Sequence, residues 1–232
     1  MIYTDVKNDL QAQANPERAK VSAWFFKTGP GQYGEGDLFL GLSMPQQHTI
    51  AKKYLNLPAD NVERLLREPY HECRMTGLLI WVYQARKAGE NQRLTLMDHY
   101  LANRQYVNNW DLVDATCPQL VGRSLLQGDR SVLYDLAQEN HLWSQRIAIV
   151  STMTFIRADQ FADTFSIAEL LLAHKHDLIH KAIGWMLREV GKRNADALEE
   201  FLHDHIRQIP RTALRYAIEK FDPPRRKYYL LL

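Results

Sequence analysis

Trp185 occupies the face of its predicted helix that is opposite an apolar stripe. The stripe has a period near 3.6 residues, and its members are Ile179, Ala182, Ile183, Met186, Leu187 and Val190. The opposite face carries Trp185 together with the cations Lys181, Arg188 and Lys192. A large aromatic side chain that fills no core and is framed by positive charge is typical of a surface that binds nucleic acid.

Four segments can be aligned so that charged and aromatic residues fall at equivalent positions: HECRMTGLLIWVYQ, VNNWDLVDATCPQL, LWSQRIAIVSTMTF and LIHKAIGWMLREVG. The first shared position holds Arg74, Trp110, Arg146 and Lys181, at separations of 36, 36 and 35 residues. One turn later the aligned residues are Leu78, Asp114, Val150 and Trp185. Because residues four apart share a helix face, the two rows predict one basic strip, which Arg157 extends.

Asp114 is the acid in this basic strip. In a groove that only holds phosphates a carboxylate repels the ligand, so Asp114 needs another role. Pro118 removes the N–H that would bond the Asp114 carbonyl, so we expect a kink at this point, which is either part of a shaped site or a bend between repeats.

Structural roles for these residues stay open at this point. Asp114 could pair with Arg146 as a salt bridge between repeats, Trp110 could be buried between repeats, and Trp185 could be a core residue. The remaining tryptophans are interpreted as packing residues, with the last near a rim: Trp24, Trp81 and Trp143.

Helices predicted along almost the whole chain would position the strip. They cover roughly 5–14, 17–26, 45–57, 60–67, 70–87, 91–103, 108–126, 129–138, 141–157, 159–171, 176–193, 195–207 and 211–220. A period near 36 residues with two helices per unit is typical of a HEAT-like α-solenoid. We therefore predict an all-α fold of antiparallel helix pairs with a concave basic groove, in one domain, with N-terminal helices and a loop over 1–44 and repeats over 45–232. The segment around Thr212 is expected to close the array.

The segment KTGPGQYGEGDLFLG, residues 27–41, contains five of the eleven glycines and interrupts the helical pattern. It is either a functional loop or a flexible connector. It lacks the strand–GxxxxGK[ST]–helix arrangement of a P-loop.

Composition favours a chain in the reducing cytoplasm, because two cysteines are too few for a disulfide scaffold and no run of 18 apolar residues predicts a membrane span. The net charge of +2 is uneven: residues 171–232 carry 12 lysines and arginines against 8 acids. This basic final third predicts an anionic partner or, equally, a solubilising tail. His174, His176 and His180 have no acid or cysteine cluster to complete a metal site, so neither metal nor cofactor is expected.

The motif WDLVD at 110–114, with LWSQRIAIV at 142–150 and HKAIGWMLREVGKRN at 180–194, resembles the DNA alkylation repair glycosylases of the HEAT-like repeat type. The resemblance covers most of the chain from about Asn15. It implies that Asp114, Arg146, Trp110 and Trp185 form the active cleft.

The resemblance also implies excision of N3- and N7-alkylated purines from duplex DNA without drawing the base into a pocket, unlike most enzymes that modify bases. A cationic purine is already a good leaving group, so no general acid is required. Asp114 would stabilise the oxocarbenium ion and orient the water, and Arg146 would hold a phosphate. The two tryptophans would lie against the deoxyribose and backbone. A monomer in the bacterial cytosol is expected.

The chain departs from the family pattern after its FLG motif, where GLSMPQQH supplies Met44 and His48. The resemblance therefore does not carry over the family's contacts from this helix to the undamaged strand. Backbone contacts are expected from Lys27, Lys52 and Lys53 instead, and His48 is expected among the DNA-binding residues. Further DNA contacts are expected from Arg74, Arg157, Lys181, Arg188 and Lys192. The alternatives are a non-catalytic paralogue that binds bent or branched DNA, and a HEAT scaffold for a protein partner.

Overall fold

The computed structural model describes all 232 residues, and its regular elements are helical. The α-helices are α1 Tyr3–Gln11, α2 Pro16–Phe25, α3 Met44–Lys53, α4 Ala59–Leu66, α5 His71–Lys87, α6 Glu90–Ala102, α7 Trp110–Cys117, α8 Ser131–Gln138, α9 Leu142–Ser151, α10 Met153–Arg157, α11 Ala162–Leu171, α12 Asp177–Gly191, α13 Ala195–His205, α14 Arg211–Ala217 and α15 Pro223–Leu231. A 3₁₀ turn covers Arg104–Tyr106 and a π-helical segment covers Pro118–Gly122. One isolated bridge joins Leu38 and Tyr70. The predicted all-α fold class is confirmed.

The chain divides into two compact units, Met1–Leu120 and Val121–Leu232. In the first, the long helix α5 is buried along most of its length and packs against α3, α4 and α7. In the second, α12 packs against α9, α13 and α14. The division into 1–44 and 45–232, the HEAT-like solenoid and the concave groove remain predictions.

The apolar stripe of α12 is confirmed. All six of its members are fully buried, and Trp185 is half-buried outside the stripe. Gly184 allows α14 to approach closely, because a Cβ at this position would lie 2.4 Å from the carbonyl oxygen of Ala213. The buried stripe therefore fixes α12 against its neighbours and determines which face presents Trp185.

Several helix ends differ from the sequence prediction. The predicted helix 108–126 is α7 followed by the π-helical segment, because Pro118 cannot donate the next helical hydrogen bond. The predicted helix 141–157 is two helices that meet at Thr152. The segment around Thr212 is not the last helix, since α15 follows it. Asp222 caps α15 by accepting a hydrogen bond from the backbone N–H of Arg225, at 2.9 Å.

The glycine-rich segment 27–41 is irregular, as predicted. Gly41, with a φ of 85°, lets the chain pass close to the start of α2, where a Cβ would lie 2.2 Å from the Asn15 carbonyl oxygen. The sequence interpretation of Trp24 is wrong, because this side chain is 74% exposed. Trp81 and Trp143 are buried, as expected of packing residues. None of the helices combines the length and apolar character needed to span a membrane.

Candidate functional site

The first turn of α7 presents Trp110, and the next turn presents Asp114 on the same face. Asn109 caps this helix by accepting a hydrogen bond from the backbone N–H of Trp110, at 2.9 Å. Both Trp110 and Asp114 are half-buried. The helix therefore holds an indole ring and a carboxylate side by side, each partly open to solvent.

Aromatic residues from the end of α2 lie against Trp110. The ring centroids of Phe26 and Trp110 are 5.6 Å apart, and those of Phe25 and Trp110 are 6.0 Å apart. Phe26 also stacks on His71, at 5.0 Å, and Phe39 stacks on the same imidazole, at 4.8 Å. This group of rings fixes the indole of Trp110 from one side.

Beneath the rings lies a buried charged network that the sequence did not reveal. The Nε2 atom of His71 is 2.8 Å from Oδ2 of Asp111, and its Nδ1 atom is 3.5 Å from Oδ2 of Asp37. Arg74 Nη2 is 2.6 Å from Oδ1 of Asp37, and Asn108 donates a hydrogen bond to that same oxygen at 3.0 Å. The network joins the end of the glycine-rich segment to α5 and to the first turn of α7.

The network favours the charged forms of its members. Burial acts to lower the pKa of His71, but the charge and hydrogen bond of Asp111, with the contact to Asp37, raise it to about 9. Burial acts to raise the pKa of Asp37, and His71, Arg74 and Asn108 together lower it below its ordinary value. At neutral pH the imidazole is therefore a cation that contacts two phenyl rings and two carboxylates.

Arg74 does not lie on an exposed basic strip, which corrects the expectation that it contacts DNA from a solvent-facing position. Arg74 is only 5% exposed, and its Nη1 atom donates hydrogen bonds to the carbonyl oxygens of Glu68 and Pro69, at 3.0 and 3.3 Å. With Asp37 as its charge partner, Arg74 is committed to the buried network. Its alignment with Trp110 gives the same helix position but a different environment.

The second unit holds the remaining candidates. Arg146 is buried on α9, at 4% exposed, and its Nη1 atom donates a hydrogen bond to the Leu178 carbonyl oxygen at the start of α12. The expectation that Arg146 lies on an exposed surface is therefore wrong for this structure. Arg157, at the end of α10, is exposed.

The cations around Trp185 lie outside the apolar stripe as expected, but each has an acidic neighbour. Lys181 Nζ is 2.7 Å from Asp177, Lys192 Nζ is 2.6 Å from Glu189, and Arg188 pairs with Glu219. These ion pairs are exposed or half-exposed, where such pairs contribute little to stability and can exchange for a phosphate. The face is thus polar and partly neutralised.

Candidate residues of the first unit outside the aromatic group lie on α3 and at the end of α2. Lys27, with a φ of 57°, places its ammonium 4.9 Å from the centroid of the Trp24 ring. His48 is half-buried and contacts the hydroxyl of Tyr83, and Lys52 is exposed. Lys53 pairs with Asp9 at 3.0 Å.

No group of three or more histidine, cysteine, aspartate or glutamate side chains has the geometry of a metal site. His180 directs Nε2 at the carbonyl oxygen of His174, and His176 caps α12 through its Nδ1 atom, which accepts from the backbone N–H of Leu178 at 3.1 Å. These imidazoles have local structural roles.

The site residues that sequence reasoning missed are Phe25, Phe26, Phe39, Asp37 and His71. Asp111 lies inside the WDLVD motif, whose sequence pattern indicates a role only for Trp110 and Asp114. The aromatic pair Phe25 and Phe26 was a usable signal for an aromatic cluster, because it follows Trp24 directly and stands immediately before the glycine-rich segment 27–41. The partnership of Asp37 with His71 had no local signal, because it depends on the path of that segment.

The site therefore combines a half-buried carboxylate and an indole on one helix of an all-α protein, and basic side chains lie elsewhere on its surface. The sequence matches the family described as DNA alkylation repair enzyme over residues 6–221, and the chain belongs to this family. No curated protein gives a significant match.

A similar solved structure is that of a protein from Enterococcus faecalis described as a predicted DNA alkylation repair enzyme. The match has a TM-score of 0.71 and 17% sequence identity, and it covers 91% of this chain and 98% of that chain. At this identity the similarity supports the shared fold.

Proposed function

We propose that the protein is a DNA glycosylase that releases N3- and N7-alkylated purines from duplex DNA by hydrolysing the N-glycosidic bond, without drawing the base into a pocket. The observation that carries this proposal is the half-buried Asp114 carboxylate one turn after Trp110 on α7. We further propose a HEAT-like repeat arrangement with a concave basic groove, acting as a monomer in the cytoplasm.

The chemistry requires one carboxylate and no general acid, because an alkylated purine already carries a positive charge. The bond between C1′ and the purine nitrogen breaks, and its electron pair neutralises the positive charge of the alkylated base. The sugar is left as an oxocarbenium ion, which the Asp114 carboxylate stabilises. Water adds to C1′, and its proton passes to Asp114 or to solvent.

The aromatic group is suited to hold the deoxyribose during this step. Phe25 and Phe26 hold Trp110 in place, so its indole is already oriented when the substrate binds. The family resemblance assigns contacts with the same substrate to Trp185 and Arg146. Exposed and half-exposed cations would supply the salt-dependent attraction to the phosphate backbone.

The deciding experiment measures release of 7-methylguanine and 3-methyladenine from methylated duplex DNA. Asp114→Asn should lower the rate by about 100-fold or more while binding of the duplex is retained. Asp98→Asn is the matched control, because Asp98 is an exposed carboxylate on α6 of the same unit. Equal rates for Asp114→Asn and Asp98→Asn would remove Asp114 from the mechanism.

The same assay separates the glycosylase from a non-catalytic DNA-binding paralogue. A paralogue would bind duplex DNA and release no base from any methylated substrate. A scaffold for a protein partner would show neither binding with a steep salt dependence nor base release. The proposal is rejected by either result.

Arg146 requires its own test. Its side chain is buried, whereas the family resemblance implies that it contacts a phosphate of the DNA. If Arg146 contacts a phosphate, Arg146→Ala should reduce the slope of log affinity against log salt by about one. If its role is structural, as its hydrogen bond to the Leu178 carbonyl oxygen indicates, the slope should stay unchanged while thermal stability falls.

A further inference from the structure

Tyr83, near the end of α5, is surrounded by three basic side chains. The Nδ1 atom of His48 is 3.0 Å from the Tyr83 hydroxyl. The ammonium of Lys52 is 5.6 Å from the centroid of the tyrosine ring, and the guanidinium carbon of Arg86 is 5.2 Å from it. We call these four residues the Tyr83 cluster.

The helices α3 and α5 build the cluster together. His48 and Lys52 are four residues apart and share a face of α3, while Tyr83 and Arg86 are three residues apart on α5. The two helices pack against each other, which brings the two pairs to one place. The cluster is therefore a product of the tertiary fold of the first unit.

The position of cations in the last turn of a helix does not by itself explain the cluster. Lys52 and Lys53 both lie in the last turn of α3, where positive charge is stabilised by the helix dipole. Lys53 pairs with Asp9. Lys52 and Arg86 instead converge on one aromatic ring, and neither forms an ion pair with a carboxylate. Their charges thus remain available to an external anion.

We propose that the Tyr83 cluster is a phosphate-binding site that holds one backbone phosphodiester of DNA and takes up a proton on His48 when it does so. This proposal rests on the proposed function for the nature of the ligand. It adds Tyr83 and Arg86 to the DNA-binding residues and assigns a specific chemistry to His48.

The hydroxyl of Tyr83 links the protonation of His48 to phosphate binding. While the imidazole is neutral, Nδ1 can accept the Tyr83 proton, and the hydroxyl then has no proton left for a ligand. When Nδ1 is protonated it donates to the tyrosine oxygen instead. The hydroxyl proton can then turn to a phosphate oxygen, beside the charges of Lys52 and Arg86.

The free cluster favours neutral His48. Burial, then the positive charges of Lys52 and Arg86, lower the pKa of this imidazole below its ordinary value of 6.5. Asp9, an acid on the neighbouring helix α1, is already engaged by Lys53 and Tyr54. A bound phosphate neutralises the two cations and favours the imidazolium, so binding should strengthen as pH falls.

The first measurement is binding of an undamaged, fluorescently labelled duplex as a function of salt. The double variant Lys52→Gln/Arg86→Gln should weaken binding about tenfold or more and reduce the salt slope by about 0.9, as expected for one lost phosphate contact. Lys20→Gln is the control, because Lys20 is an exposed cation of the same unit, pairs with Glu17 at 2.9 Å, and lies outside the residues expected to contact DNA. A double variant with the affinity and slope of Lys20→Gln would overturn the proposal.

The second measurement follows the same binding between pH 8 and pH 5.5. The unaltered protein should gain affinity by up to about tenfold per pH unit, the limit for one proton taken up. His48→Gln and Tyr83→Phe should each flatten this dependence relative to Lys20→Gln. If both variants keep the full pH dependence, the role of His48 and Tyr83 is wrong.

Inorganic phosphate and a nucleoside monophosphate distinguish DNA from a small ligand that carries the same chemical group. We expect both to bind only at millimolar concentrations and to compete with the duplex. Micromolar binding of either one, with duplex binding unaffected by the double variant, would reject the assignment to DNA. Because these measurements use undamaged DNA, absence of base release would reject the glycosylase and leave the phosphate site intact.

Discussion

His71 lies between the glycine-rich segment and the helix that carries the candidate active site, with its Nε2 atom 2.8 Å from Oδ2 of Asp111. Asp111 directly follows Trp110 in sequence, and its other carboxylate oxygen accepts a hydrogen bond from the Leu112 N–H at 2.9 Å. The imidazole therefore holds the first turn of α7 from below, while Phe26 holds Trp110 from the side. The orientation of the site depends on a buried charge.

The raised pKa of His71 predicts a specific pH dependence of stability. Because the folded-state pKa is about 9 and the ordinary value is 6.5, the stabilisation is fully present below pH 6.5 and is lost as pH rises through 9. The whole effect is of the order of 3 kcal/mol. Urea unfolding at pH 6.5 and pH 9.5 should show this loss in the unaltered protein.

His71→Gln provides the control for this pH dependence. Glutamine can donate a hydrogen bond to Asp111 but carries no titrating charge, so most of the loss between pH 6.5 and pH 9 should disappear. Three other histidines have pKa values lowered below 6.5, so they titrate below the range of pH 6.5 to 9: His48, His174 and His176. An unchanged pH profile in His71→Gln would show that another group is responsible.

Arg74→Met should destabilise the protein by about 3 kcal/mol, because it leaves the buried Asp37 carboxylate with only the more distant His71 as a charge partner. Since Arg74 is directed into the network, the salt slope of DNA binding should stay the same. Thermal unfolding and salt-dependent binding check the two parts separately. A reduced salt slope with unchanged stability would restore Arg74 to the DNA-contacting residues and contradict its structural role.

Trp24 and Trp81 should respond in opposite ways to truncation. Trp24 is 74% exposed, so Trp24→Ala should change the free energy of unfolding by less than about 0.5 kcal/mol. Trp81 is fully buried in α5, and Trp81→Ala should cost about 3–5 kcal/mol. Chemical denaturation of the two variants measures both values. A large loss of stability in Trp24→Ala would mean that α2 is packed differently.

These two tryptophans show why the sequence predicted some elements and not others. The stripe of α12 was readable because burial there follows a local period, and the structure buries all six of its members. The helix α2 also carries apolar residues, but none of its residues is buried. Its exposed apolar side chains are Val21, Trp24 and Phe25. Periodicity identifies a face, and only the tertiary fold determines whether that face has a partner.

The candidate site was predictable where its residues are close in sequence. Trp110 and Asp114 share a face of α7 because they are one turn apart, and the motif alone implied this. Arg74 was placed with them by alignment, which equates helix positions but not environments. Its pairing with Asp37 depends on how the glycine-rich segment returns to α5 through the bridge between Leu38 and Tyr70, and no local pattern encodes that path.

Gly184→Ala tests the packing that presents Trp185. A Cβ at Gly184 would lie 2.4 Å from the Ala213 carbonyl oxygen and 2.5 Å from the Cβ of Tyr216, so α12 and α14 would have to separate. We expect a net cost of about 1–3 kcal/mol from this overpacking, even though alanine is the better helix former. Urea unfolding measures the cost, and a change in tryptophan emission would report movement of Trp185.

Gly128→Ala is the matched control for this substitution, because no atom lies within 4 Å of a Cβ at Gly128 and its φ is not positive. This variant should be neutral, or more stable by about 0.4–1 kcal/mol through reduced freedom of the unfolded chain. If Gly184→Ala were as stable as Gly128→Ala, the close approach of α12 to α14 would be wrong. The face assigned to Trp185 would then lose its structural basis.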